Sequence, residues 1–159
     1  MSALARPGVE SRGTANRGPK VMITLAALIT LAVPPIADLN ATHLIGSAWS
    51  PHALYHGWVF LFVNVISGSA ALYLVWGRHG ARDNPFALRM AAFLPALCWG
   101  PQLLAVFMPG ASSWPDGSPE PPPLPVAGNV VMSAVIVVLC GVAAWRPGRL
   151  SKPSTSQDG

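Results

Sequence analysis

"HALYHGWVFLFVNVISGSAALYLVW", residues 52–76, decides the fold. It is an apolar run of roughly the length a helix needs to cross a hydrocarbon core of about 30 Å. In lipid every unpaired backbone group costs several kcal/mol, so continuous helix is the form such a run takes. Working outward, three more runs of similar character follow: "VMITLAALITLAVPPIADL" (21–39), "FALRMAAFLPALCWGPQLLAVFM" (86–108) and "LPVAGNVVMSAVIVVLCGVAAW" (124–145). Composition agrees, with 52% hydrophobic and only 10% charged residues in 159, against about 25% charged in soluble domains. The expected architecture is all-α, one four-helix transmembrane bundle over residues 20–146 with the lipid bilayer as its main solvent. Residues 1–19 and 147–159 carry no apolar period and are expected to be disordered tails.

The first run could instead be a signal peptide behind Arg6, Arg12, Arg17 and Lys20, but Pro34-Pro35 and the lack of a small-residue cleavage pattern argue against removal. Basic residues in short loops set the orientation. Arg78 and Arg82 lie between runs two and three, with Arg89 just inside run three, and Arg146, Arg149 and Lys152 follow run four. The loops 40–51 and 109–123 hold no Lys or Arg, only Asp116 and Glu120. Both termini are therefore expected in the cytoplasm. Trp49 and Trp114 would lie at the outer interface, Trp76 and Trp145 at the inner one. The isoelectric point near 9.7 follows from this placement, and with no basic stripe interleaved with aromatics nothing suggests a nucleic-acid partner. Cys98 and Cys140 fall at different depths and are not an expected disulfide. "SGSAA" (67–71) offers small residues for close helix contact and permits pairing of copies in a homo-oligomer. The outer loop "GASSWPDGSPEPPP" (110–123) is expected to be extended and stiff, lying over the bundle mouth.

The window "DLNATHLIGSAWSPHALYH" (38–56) gathers three of the four histidines and the one acid inside an apolar run. Ser50-Pro51 reads as a helix start, a good N-cap followed by Pro at the first helical position. His52 and His56 then stack at i and i+4, with Ser67 within about 60° of His52 and Asn64 within about 120°. Leu54, Leu61, Val65 and Leu72 would face lipid, turning the polar stripe into the bundle. The alternation of helix direction brings Asp38, Gln102 with Cys98 and Trp99, and Asn129 with Ser133 to the same outer half. Ionisable groups within spans usually face the interior or a wet cavity. A pocket walled by Trp99, Trp58, Phe60 and Phe107 and roofed by the 40–51 loop is the expectation. Pro95 and Pro101 would kink the third helix and widen one end.

Several readings of these groups stay open. His52 and His56 with His43 or Asp38 could ligate iron or zinc, could work as a metal-free acid–base set, or could be interfacial residues bonded to water. Haem is disfavoured, because His52 and His56 lie on one face of one helix. Asp38 could orient an imidazole or cap the turn after helix one. Gln102, Asn129 and Asn64, with Trp99 and Trp49, could hold a substrate, or the amides could only join helices. His79, beside inner arginines, reads as solvated.

Asp38, Asn40, Thr42 and His43, followed by Trp49, Pro51, His52, Ala53 and His56, resemble a signature D-x-N-x-T-H then W-x-P-H-A-x-x-H. It is carried by small four-helix membrane proteins of bacteria and fungi. Size and layout are more distantly similar to DoxX-like membrane proteins. The resemblance implies a multi-pass protein of a bacterial cell membrane with a site at these positions, without naming its chemistry. Where that signature has Asn-Pro before the Trp, this chain reads "GSAW". Two functions follow as expectations. One is a membrane-embedded oxidoreductase or isomerase acting on an apolar small molecule through His52, His56, His43 and Asp38. The other is a non-enzymatic accessory subunit or small-molecule binding protein.

Overall fold

A computed structural model describes residues 17–41, 43–46, 49–77, 84–113 and 127–149, the last four of these by backbone alone. Four helices follow in order: α1 (Arg17–Asp38), α2 (Pro51–Trp76), α3 (Pro85–Ala105) and α4 (Gly128–Arg149). Three of them, Arg17–Asp38, Pro51–Trp76 and the Gly128–Trp145 part of α4, are long and apolar enough to cross a membrane, as in a membrane protein. The third helix, which carries Arg89, Pro95, Pro101 and Gln102, is not among them. Thr42, Arg78, His79, Arg82, Trp114, Asp116, Glu120 and Lys152 lie outside the described residues, as do most of both tails and of the 109–123 loop.

The helix boundaries follow local chemistry. Ser50 caps α2, its side chain accepting from the Ala53 amide at 3.2 Å, with Pro51 at the first helical position. Asn84 does the same for α3, accepting from Phe86 at 3.0 Å and Ala87 at 3.4 Å. That helix stops at Ala105, earlier than the expected 108; Phe107 and Met108 close tight turns on Leu104 and Ala105 before Pro109. At the start, α1 takes in residues 17–19, expected in the tail, and α4 runs on through 147–149. Pro34 and Pro35 do not end α1.

All neighbours around the bundle pack together, and α1 also meets α3 across the middle. The core is built largely of alanine: Ala26, Ala27, Ala71, Ala91, Ala92 and Ala143 are buried with Ile23, Leu88 and Ile136. Small residues let backbones approach, which is what holds helices together where lipid removes the hydrophobic drive between them. Gly68 shows this sharply. A Cβ there would sit 2.7 Å from Leu31 Cγ and 3.0 Å from the Ala27 carbonyl oxygen. Ser67, Gly68 and Ala71 of the "SGSAA" run are thus used inside the chain.

This packing turns part of the face expected toward lipid inward as well. Leu61, expected toward lipid, is buried, and the inward stripe is Leu61, Asn64, Ser67, Gly68, Ala71 and Val75. Tyr55, Phe62, Ile66, Tyr73 and Trp76 face out. Size rather than polarity chooses the face, because a bulky side chain loses nothing by lying in lipid, while a small one permits contact.

Gly68→Ala is expected to destabilise the protein by about 1–3 kcal/mol through overpacking against α1. Gly100→Ala, whose Cβ meets nothing within 4 Å, is expected to be neutral or stabilising by up to about 1 kcal/mol. Thermal unfolding of the two variants in detergent checks the pair.

Candidate functional site

The end of α1 builds the site. Past Asp38 the chain folds back in a tight loop: the Leu44 amide donates to the Asp38 carbonyl at 3.0 Å, and those of His43 and Ile45 to the Asn40 carbonyl at 3.2 and 3.0 Å. The Asn40 side-chain amide donates to the Ala37 carbonyl, which turns its Oδ1 toward His43 Nδ1, 3.2 Å away. A carbonyl oxygen only accepts, so His43 donates from Nδ1 and carries its lone pair on Nε2. The ring also leans on Trp49, with centroids 5.7 Å apart. Buried Leu44 and the Trp49 ring pin the loop onto α2 at Gly57, where a Cβ would fall 2.5 and 2.9 Å from them.

Beneath this loop lies a cavity of about 750 Å³. Its walls come from all four helices: Pro34 from α1, Phe60 from α2, Trp99 from α3 and Met132 from α4. Asp38, His43, Gln102 and Asn129 line it too, and so do Ser112 and Ser113 beyond α3. Asp38 and His43 thus face one shared space. The cavity wall at Trp99 is fixed from below. This buried indole donates Nε1–H to Thr30 Oγ1 at 2.9 Å, and the Thr30 hydroxyl donates on to the Ala26 carbonyl at 2.8 Å. On α4 the Ser133 hydroxyl gives its hydrogen to the Asn129 carbonyl at 2.8 Å and stands 3.4 Å from Gln102 Oε1. With its one hydrogen given to Asn129, the hydroxyl has none left to hold the Gln102 amide.

Five expected site residues are therefore brought together: Asp38, His43, Trp99, Gln102 and Asn129. Trp49 supports His43 from behind. His52 and His56 are not with them. Both are exposed, and their Nε2 atoms lie 3.1 Å from each other. The angular reading was sound lower down, since Ser67 and Asn64 are buried. It fails at the first turns of α2, where His52 and His56 are exposed among the described residues; Leu104 to Met108, at the same end of α3, are exposed as well. Asn64 is buried beside the cavity wall rather than in it, its Nδ2 donating to the Phe60 carbonyl at 2.8 Å and its Oδ1 without a partner. Trp58 stacks on Phe62 with centroids 5.9 Å apart, and it and Phe107 stand outside the cavity lining.

Among the described residues no three His, Cys, Asp or Glu side chains converge as a metal would require. The expected iron or zinc set of His43, His52 and His56 is not assembled. Both cysteines are free and buried. Thr30 and the Ser112–Ser113 pair escaped the sequence reading. A lone threonine within "AALITLAV" was the signal for the first, and the serines follow a turn that gives no pattern.

Comparison of the chain with family models, with curated proteins and with solved structures finds no match. What the site does has to be argued from its chemistry. A carboxylate and an imidazole lining one largely apolar space can hold a polar group of a ligand and exchange a proton with it. The amides of Gln102 and Asn129 can orient that group.

Thr30→Val leaves the Trp99 N–H buried without an acceptor, at an expected cost of about 1–3 kcal/mol. In a double-mutant cycle with Trp99→Phe the two losses should fail to add by about 0.5–2 kcal/mol, measured by unfolding in mild detergent.

Proposed function

We propose that this chain is a four-pass membrane protein, with both termini in the cytoplasm, that takes up an apolar small molecule bearing one polar group. The cavity between the four helices carries this reading. It is large enough for such a compound at about 750 Å³, and its apolar walls end in a polar rim of Asp38, His43, Gln102 and Asn129. The third helix spans as well on this reading, its Arg89 reaching to the inner headgroups. The cavity then opens toward the outer leaflet, under the loop that lacks basic residues.

Proton transfer on the bound molecule, as in an isomerisation, is the chemistry these groups support best. His43 Nε2 is the base, since Nδ1–H is engaged by Asn40, and Asp38 stabilises the imidazolium that forms. Gln102 and Asn129 hold the ligand's oxygen where charge develops. His52 and His56 take no part.

Gly128 tests the idea without disturbing the fold. It lines the cavity, and a Cβ there meets nothing within 4 Å. Gly128→Trp should cut the small molecule that copurifies from membranes at least tenfold, read by mass spectrometry of organic extracts. His43→Gln should keep the molecule but abolish its conversion. An unchanged extract from Gly128→Trp would remove the cavity from consideration. For the topology, a cysteine replacing Ser113 should react with a membrane-impermeant maleimide in intact cells, and one replacing Ser2 only after permeabilisation.

A further inference from the structure

We propose that the exposed histidine pair at the start of α2 is a binding site for an imidazole-seeking divalent ion, zinc or copper. The inference is independent of the cavity, with which His52 and His56 share no side chain. Two observations carry it. The pair sits one helical turn apart on an exposed face, and its Nε2 atoms converge to 3.1 Å. Two nitrogens bound to one ion at about 2.0–2.1 Å lie about 3.3 Å apart at the tetrahedral angle and about 2.9 Å apart at a right angle. The observed separation falls between those values, so the backbone already holds both rings at the bite of a single ion.

At present one ring donates Nε2–H to the lone pair of the other, the only way two neutral imidazoles meet at that distance. Binding requires that ring to carry its hydrogen on Nδ1, a change of tautomer with no net proton released. It also requires both lone pairs to turn to one point. The rings stand nearly perpendicular, at 88°, and neither is buried, so the turn meets little resistance beyond the edge of Tyr55, 5.5 Å from His56. The partial positive charge of the helix start opposes a cation only weakly, by less than two coordinate bonds supply.

His43 is not a third ligand, being engaged by Asn40 and Trp49 and lining the cavity. Among the described residues no further His, Cys, Asp or Glu completes the set. Water fills the remaining positions, and the ion stays exchangeable. Imidazole donors select copper over zinc by the usual affinity order and leave magnesium and calcium unbound.

Equilibrium dialysis of the full chain in detergent, prepared without an oligohistidine tag and stripped of metal, tests the site with zinc, copper and magnesium salts. The expected result is one copper or zinc ion per chain, copper the tighter, and no magnesium. His52→Ala and His56→Ala should each weaken zinc binding at least tenfold, whereas His43→Ala leaves it unchanged. With copper, electron paramagnetic resonance should show hyperfine coupling to two imidazole nitrogens, reduced to one in either single variant. Zinc affinity in the wild type no better than in the single variants would overturn the proposal. So would a comparable loss in His43→Ala. Because both rings are exposed, the variants should keep the wild-type helix content by circular dichroism, and neither should alter the small-molecule content of the cavity.

Discussion

Two indole–threonine hydrogen bonds set the positions of α2 and α3 against α1. In each, a threonine of α1 donates its hydroxyl hydrogen to the carbonyl one turn back, so that its oxygen is left to accept from a tryptophan on another helix. Thr24 bonds the Lys20 carbonyl at 2.7 Å and receives Trp76 of α2 at 2.9 Å. Thr30 bonds the Ala26 carbonyl at 2.8 Å and receives Trp99 of α3 at 2.9 Å. Apolar surfaces slide along one another at little cost in lipid, where burial gives no preference for one register. A directional bond does give one, most of all between Thr30 and Trp99, which are both buried away from water.

From that registration the division of the bundle follows. At the end where α1 begins, Lys20 lies over the Trp76 ring, 5.7 Å from its centroid, and Arg89 and Trp145 flank an apolar groove between α3 and α4. Between the ends, Gly68 and the alanines bring backbones together. Toward the other end the helices carry larger walls, Pro34, Phe60, Trp99 and Met132, and the interior opens. The polar groups line this opening, so they are not left stranded in a solid core. Asn64 is the exception, with a buried oxygen lacking a partner just below the cavity wall; such an atom is normally met by water or a ligand group.

The 38–50 segment turns this opening into a site. Its backbone bonds return the chain over the end of α1, and Leu44 and Trp49 fasten it to Gly57. A larger residue than glycine at 57 would lift the loop, carrying His43 away from Asp38. The two histidines that follow in sequence are separated from the third by this fold: His43 turns down, while His52 and His56 remain on the outer surface of the next helix.

Sequence alone determined the all-helical class, the four apolar runs and the cap at Ser50, because hydropathy over twenty residues and local capping need no information from elsewhere in the chain. It also placed Asp38, Gln102, Asn129 and Trp99 at one height, since helix direction alternates with each short connection. Tertiary structure decided the rotation of α2, which angular arithmetic on a single helix cannot fix when both its faces are apolar. It also decided which histidines meet the cavity. That depended on where α3 stops and where the loop after Asp38 packs, contacts between segments far apart in the chain. Leu61 and His56 illustrate the same limit from opposite sides. The leucine is buried and the histidine exposed, because what covers a helix face is set by the segments packed on it and not by the helix's own sequence.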